Sequence, residues 1–231
     1  TVDTARGQGL DYSTFTVFDI SEVPYKIVAK YRNNIIAPLL FPNIINTIGK
    51  KYNDAYVLVE SNDIGAQVAD VLHHDLEYEN LLTVSWYGRH GQQISSGHRA
   101  DISYGVRTTK QVKKIGCSNL KSLVEEDKLL IPDYDIISEL TTYVTNGDTF
   151  AAEEGANDDL ATTLVLFGWL VDQTYFKELS NQNIREKLYQ NKMDTIDDMT
   201  TPFGIIDDGL NDVYERDAEG DLWKTVHTFN K

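Results

Sequence analysis

Residues 55–60, AYVLVE, constrain the fold more than any other stretch of this chain of 231 residues. Their apolar side chains are continuous instead of alternating with polar ones, which is typical of a central strand buried on both faces. A strand of that kind needs neighbours on both edges and helices on both faces of its sheet. Glu60 ends the run, where a carboxylate is costly to bury unless it is paired or bound to a metal.

The rest of the pattern supplies those neighbours. Three β-rich segments, TVD, STFTVFDI and PYKIVAKYRN, come first and are separated by short turns, which predicts an antiparallel meander. Apolar residues at helical spacing predict helices at residues 38–51, 61–76, 110–127, 132–144 and 158–171, and a short strand at 81–86. The same spacing predicts that Val124, Ile137 and Val144 point towards the core. This element order predicts an α/β fold of the ribonuclease H-like class, a mixed sheet flanked by helices.

Charge is distributed unevenly along the chain. The formal net charge of -15 alone argues against a nucleic-acid partner, because DNA prefers basic surfaces. Residues 86–121 nevertheless contain one acid against seven bases, which are Arg89, Arg99, Arg107, Lys110, Lys113, Lys114 and Lys121. Residues 194–221 contain ten acids and one arginine. We therefore predict a core domain at residues 1–176 that presents a basic face, followed by an acidic C-terminal extension at residues 177–231.

Other sequence features narrow the protein class. Cys117 is the only cysteine, which excludes an internal disulfide and a cysteine-based zinc site. There is no run of about 18 apolar residues, so no membrane span is predicted, and no signal-peptide pattern is visible. The chain opens with TVDTARGQG, which is typical of the middle of a sheet, so we expect it to be cut from a longer protein.

Acidic residues stand where this element order would bring them together. Asp3 lies on the first strand, Asp11 begins the second, and Glu60 ends the buried strand. Asp158 and Asp159 open the last core helix, and sites in mixed sheets assemble at strand ends and adjacent helix N-termini. Converging carboxylates supply the oxygen ligands that Mg²⁺ or Mn²⁺ requires, and two such ions can hydrolyse a phosphodiester.

A purely structural interpretation competes with this one. Asp158 and Asp159 gain from the positive end of the helix dipole, and Asn157 is predicted to cap the helix. Asp11 also fits a turn. Glu60 is harder to explain in this way, because the strand that carries it is predicted to be buried.

Four segments together resemble the C-terminal nuclease domain of the large terminases of T-even-like bacteriophages: TVDTARGQGLDYS, VLVESNDIGAQVA, IGCSNLKSLVEEDKLLI and AAEEGANDDLATTLVLFGWL. The resemblance implies a ribonuclease H/resolvase/integrase-like fold. It also implies metal-dependent cutting of concatemeric double-stranded viral DNA with little sequence preference, in headful packaging. On this resemblance, Asp3, Glu60 and Asp159 are the catalytic ligands of Mg²⁺ or Mn²⁺, with two ions expected. Asp158 and Asp11 are further metal-binding candidates.

The resemblance also implies a setting. The expected partners are double-stranded viral DNA, the portal protein, the small terminase subunit and a packaging ATPase domain N-terminal to these residues, in the host cytoplasm on the procapsid portal. No GxxxxGK sequence followed by Ser or Thr is present, so these residues are not expected to hydrolyse ATP. The residues predicted to contact DNA phosphates are Arg89, Arg99, Arg107, Lys110, Lys113 and Lys114. Lys121 is predicted to lie on a solvated helix face.

Two other functions stay open on the sequence alone. A Holliday-junction resolvase would share the fold and prefer four-way junctions to linear duplex. A non-catalytic module that docks on the portal or on DNA would place its carboxylates too far apart to share metal ions.

Overall fold

The computed structural model describes residues 1–88, 91–95, 102–147, 149–181, 185, 214–216 and 222–224. The chain divides into two compact units, Thr1–Glu186 and Lys187–Lys231. Most of the predicted acidic extension, like Arg89 and Arg99, lies outside the described residues. The boundary at residue 176 therefore stays a prediction.

Strands and helices alternate along the first unit. Its strands are β1 (Val2–Asp3), β2 (Ser13–Asp19), β3 (Tyr25–Asn33), β4 (Thr83–Trp86), β5 (Gln92–Ser95), β6 (Ile102–Tyr104), β7 (Leu129–Leu130), β8 (Tyr143–Asn146) and β9 (Thr149–Ala152). Its helices are α1 (Phe41–Lys51), α2 (Gly65–Asp70), α3 (Lys110–Glu125), α4 (Tyr134–Thr142) and α5 (Asp159–Asp172). A π-helical turn, Val71–Asp75, continues α2, and residues 174–181 are mostly helical. In the second unit, β10 (Tyr214–Arg216) pairs antiparallel with β11 (Leu222–Lys224).

The predicted meander forms the first part of the sheet. β1 pairs antiparallel with β2, β2 pairs antiparallel with β3, and β7 joins the outer edge of β3 in parallel. The register places Asp3 opposite Thr14 and Thr14 opposite Arg32. Because opposite residues project from the same face of a sheet, these three side chains form one row across it.

Residues 57–60 are the predicted central element, and their backbone is hydrogen-bonded on both edges. On one edge, Glu60 N donates to Val2 O at 2.8 Å, which joins the segment to β1. On the other edge, Leu82 N donates to Val57 O at 2.8 Å. The pairing consists of isolated bridges instead of a long ladder. The segment therefore links the meander to the three-stranded sheet in which β4 lies between β5 and β6.

Both faces of this central segment are covered, as the apolar run predicts. Leu58 packs into a core formed largely by α3 and α5, whereas Val57 and Val59 pack into a second core under α1 and α2. Every residue from Asp159 to Leu170 is buried, so α5 is the central helix of the first core. Among the helices described, none is long and apolar enough to cross a membrane.

Three residues predicted to point inward are instead partly exposed, namely Val124 (44%), Ile137 (44%) and Val144 (37%). Val124 falls beside the buried stripe of α3, which ends with Leu123. α4 ends at Thr142, two residues earlier than predicted, and Val144 lies on β8, where the helical spacing no longer applies. Within residues 86–121, the stretch rich in basic residues, β5 and β6 pair with the two edges of β4.

α3 and α5 approach each other through two glycines. A Cβ added at Gly168 would lie 2.3 Å from Gly116 O, and one added at Gly116 would lie 2.2 Å from Val165 O. Both obstacles are backbone atoms, which cannot rotate away as a side chain can. The position of α5 under the sheet therefore depends on the missing side chains.

We predict that Gly168→Ala lowers the free energy of unfolding by about 1–3 kcal/mol, because the methyl group forces the two helices apart. The measurement is denaturant unfolding followed by circular dichroism. Ser118→Ala, on the exposed side of α3, is the matched control and should change stability by no more than about 0.5 kcal/mol. Equal stability of the two variants would contradict the close helix contact.

Candidate metal centre

The carboxyl groups of Asp3 and Glu60 share a hydrogen bond at one end of the sheet. They are neighbours because Glu60 N donates to Val2 O, which sets residues 57–60 beside β1. A hydrogen bond between two carboxyl groups requires a proton on one of them. Burial, followed by the charge of Glu60, raises the pKa of Asp3 well above its usual value, which favours the protonated form of Asp3.

Asp159 and Asp158 belong to the same electrostatic cluster. Their charges also raise the pKa of Asp3, which shows that the N-terminus of α5 lies close to the Asp3–Glu60 pair. Asp159 is only 8% exposed, and chiefly this burial raises its pKa to about 7. A hydrogen bond from the backbone N–H of Tyr12 opposes the rise.

Asp11 lies in the exposed bend before β2, which begins at Ser13 instead of at Asp11 as predicted. Its charge is among those that raise the pKa of Asp159. The structure therefore brings all five predicted acidic residues into one region: Asp3, Asp11, Glu60, Asp158 and Asp159.

Hydroxyl groups between β2 and α5 position the helix that carries Asp159. Thr14 Oγ1 donates to the backbone O of Asp159 at 3.1 Å. One turn further along α5, the hydroxyls of Thr16 and Thr163 are 2.7 Å apart. These groups are buried, and their hydrogen bonds form a seam that fixes α5 against the sheet.

Glu60 is oriented by residues that follow it in the chain. Asn62 Nδ2 donates to Glu60 Oε1 at 3.0 Å, which fixes one carboxylate oxygen. A Cβ added at Gly65 would lie 1.8 Å from Glu60 O, so α2 can begin at this place only with glycine.

Asn157 does not cap α5, which corrects the sequence-based expectation. The helix begins at Asp159, its N-cap residue is Asp158, and no side chain at the N-cap accepts a hydrogen bond from the first turn. The Asp158 carboxylate instead accepts a hydrogen bond from Ala152 N at 3.3 Å, and Asn157 is exposed.

The first turn of α5 is capped from another helix, by Glu139 of α4. Its Oε2 accepts hydrogen bonds from Leu160 N at 2.8 Å and Ala161 N at 3.1 Å, and the residue is only 6% exposed. Sequence reasoning missed this residue. The sequence did contain an indication of its role: Glu139 stands one helical turn after Ile136, on the face of α4 that was predicted to be buried.

The predicted DNA-binding residues that the structure describes come after Val106, which pairs with Glu60. Val106 forms a parallel bridge with Glu60, and Arg107 comes next in the chain with an exposed side chain. The lysines of α3 share the face of its first turn, where Lys110 and Lys114 are exposed and Lys113 Nζ donates to Phe150 O at 3.3 Å.

A groove beside Glu60 has a volume of about 830 Å³ and is lined by Ser61 and Asn62, which follow Glu60 in the chain, and by Trp86 and Arg107. Two exposed acids, Asp63 and Asp70, also line it. Trp86 is 59% exposed, so the groove offers an aromatic face and a guanidinium group as well as negative charge.

A family model described as the terminase RNaseH-like domain matches residues 1–167. The chain belongs to this family. Two solved structures are similar to this terminase domain, both of the large terminase nuclease from thermophilic phage G20c. The one with bound magnesium has 22% sequence identity and a TM-score of 0.54, and the one with bound cobalt has 21% and 0.53. In each case the match covers 72% of this chain and 77% of the phage G20c chain. Together with the family match, this similarity confirms the predicted ribonuclease H-like fold.

The donor set of this terminase domain fits a hard divalent cation, because the clustered side chains offer only carboxylate oxygens. As the side chains stand in the described part of the chain, no three His, Cys, Asp or Glu residues are arranged to hold an ion. Ligation of one ion by three of these carboxylates would therefore require their side chains to move closer together.

We predict that Asp159→Asn stabilises the metal-free protein at pH 8 by on the order of 2 kcal/mol, and that this gain shrinks towards pH 5. An ordinary aspartate has a pKa of 3.8, and in the folded protein Asp159 is raised to about 7. Between these values the folded state retains a proton that the unfolded state has released. The contribution of Asp159 to stability therefore falls as pH rises through this window, and asparagine removes the dependence.

Chemical denaturation of both proteins in EDTA at several pH values tests this prediction. A stability difference that is the same at pH 5 and pH 8 would show that Asp159 does not titrate in that range. Glu153→Gln, in the exposed loop before α5, is the control and should show no such trend.

Proposed function

We propose that this terminase domain is a metal-dependent endonuclease that cuts concatemeric double-stranded DNA during phage packaging, using two Mg²⁺ or Mn²⁺ ions and little sequence preference. The observation that carries the proposal is the hydrogen-bonded Asp3–Glu60 pair, with the charge of Asp159 acting on it from α5. Family membership and the structural similarity to a large terminase nuclease with bound magnesium or cobalt support the choice of a nuclease with divalent ions.

In this proposal Asp3, Glu60 and Asp159 hold the ions, and Asp158 and Asp11 add negative charge or further oxygen ligands. Divalent ions at such a centre activate water and neutralise charge on the scissile phosphate. Only the ionised form of Asp3 offers both oxygens to a cation, so protonation of this residue competes with metal binding. Asn62 fixes one oxygen of Glu60, and the Tyr12 N–H holds the carboxylate of Asp159, so less side-chain freedom is lost on binding.

The DNA would follow the groove beside Glu60 and the first turn of α3. Arg107, Lys110 and Lys114 have exposed side chains that a phosphate can reach, whereas Lys113 is half-buried and donates to a backbone oxygen. Arg89 and Arg99 are assigned to the same path on the sequence alone. Contacts of this kind bind the backbone without reading bases, which suits cutting with little sequence preference.

The wider setting is also proposed on family grounds. We assign a packaging ATPase domain to the same polypeptide, and we assign the portal protein and the small terminase subunit as partners. The domain would then work in the host cytoplasm, on the procapsid portal.

We predict that Asp3→Asn, Glu60→Gln and Asp159→Asn each reduce Mn²⁺-dependent cleavage of plasmid DNA at least about a hundredfold, because each removes a ligand charge that the ions need. Gel assays with supercoiled plasmid measure nicking and linearisation, and thermal unfolding checks that each variant is folded. Glu153→Gln should cut like the wild type.

Two results would contradict the proposed function. Retained cleavage in folded variants would place the active centre elsewhere. A strong preference for four-way junctions over linear duplex in the same assay would favour a resolvase instead.

We predict that Arg107→Gln and Lys114→Gln weaken binding to duplexes of any sequence. Each should reduce the slope of log affinity against log salt by about 0.9, the value for one lost phosphate contact. Fluorescence anisotropy in EDTA measures this without cleavage. Lys121→Gln is the matched control, since Lys121 pairs with Glu125 at 3.6 Å on the exposed side of α3. Unchanged slopes in both variants would remove these residues from the DNA path.

A further inference from the structure

Glu139 is an unusual cap for α5. The first N–H groups of any helix lack partners within the helix, and a nearby Ser, Thr, Asn or Asp usually supplies one. In α5 the N-cap side chain does not do so, and a buried carboxylate from another helix accepts from Leu160 N and Ala161 N instead. A neutral cap would satisfy the same N–H groups without burying a charge.

That buried charge is balanced from the sheet by Arg32, whose Nη2 lies 3.1 Å from Glu139 Oε1. Arg32 is on β3, opposite Thr14, and its guanidinium group lies over the ring of Tyr12 at 4.0 Å. A buried ion pair is weak evidence for stability, because removing two charges from water offsets much of their attraction. Its location suggests another role.

Several residues around this ion pair also contact Asp159 or the N–H groups that follow it. Glu139 binds the two N–H groups that follow Asp159, Thr14 donates to the Asp159 backbone, and Tyr12 donates to its carboxylate. The charge of Glu139 also acts on Asp159 directly. Without it, the positive end of the α5 dipole would reduce the attraction of this corner for a cation.

We propose that Glu139 is a positioning residue of the metal centre: it fixes the start of α5 and, held by Arg32, adds the negative charge that strengthens cation binding next to Asp159. This inference rests on the proposed function, and it assigns to the centre a residue that does not itself touch the ion.

The test is the affinity for Mn²⁺, measured by electron paramagnetic resonance titration of the whole chain without DNA. Glu139→Gln keeps an oxygen that can accept from Leu160 N but loses the charge, and we expect Mn²⁺ to bind about tenfold more weakly. Arg32→Gln leaves Glu139 unbalanced, and we expect binding at least as tight as in the wild type. Glu125→Gln, an exposed glutamate of α3, is the control and should bind like the wild type.

The different responses of the two variants separate an electrostatic role from a merely structural one. Both substitutions break the same ion pair and should lower the melting temperature, so a structural role predicts weaker Mn²⁺ binding in both, in proportion to lost stability. That result would overturn the inference, as would unchanged affinity in Glu139→Gln. If Glu139→Gln does not fold, the double variant with Arg32→Gln replaces it, and its affinity should be about tenfold weaker than that of Arg32→Gln alone.

Failure of the proposed function gives a different result. A wild-type protein that binds no Mn²⁺ would remove the metal centre itself, and the inference with it. Wild-type binding that is lost in Asp159→Asn but unchanged in Glu139→Gln would retain the metal centre and overturn only the role of Glu139.

Discussion

The backbone pairing of residues 57–60 on both edges is the constraint on which the rest of the structure depends. A segment with both edges paired must lie inside the sheet, so its two faces must be covered, and its continuous apolar run is the consequence. The same pairing ends with Glu60 N bonded to Val2 O, which leaves the Glu60 carboxyl beside Asp3. Core formation and assembly of the acidic centre therefore follow from one set of hydrogen bonds.

Gathering carboxylates in one partly buried region costs stability, and the surrounding structure has to offset that cost. The raised pKa of Asp3 reflects this cost, since it is caused by burial and by the charges of Glu60, Asp159 and Asp158. Packing opposes the repulsion, since the glycine contact between α3 and α5 and the threonine seam from β2 leave α5 little room to move away. The contacts that hold α5 in place therefore also keep its acidic N-terminus next to the other carboxylates.

The sequence was sufficient wherever the cause was local. The apolar run predicted the buried strand, and the acid at its end predicted Glu60 as a candidate ligand. The cap of α5 was not predictable in this way, because the deciding atoms belong to Glu139, 21 residues before Leu160, and the sequence near Asn157 offers several good caps. The prediction that Val144 points into the core was wrong for a related reason. The helical spacing did not indicate that α4 would end at Thr142 and be followed directly by a strand. The sequence pattern identifies helices and strands, whereas the contacts between them decide which polar groups become hydrogen-bond partners.

The net charge of -15 shows why electrostatics must be judged locally in this protein. Exposed charges separated by more than about 8 Å are largely screened from each other at physiological salt, so the charges nearest the groove beside Glu60 matter most. Arg107, Asp63 and Asp70 line this groove, and the carboxyl cluster that includes Glu60 lies beside it. Each divalent ion bound by the cluster adds two positive charges. In the proposed function, the bound cations therefore assist the approach of DNA as well as the chemistry, because they offset the negative charge of the cluster, which repels a phosphate.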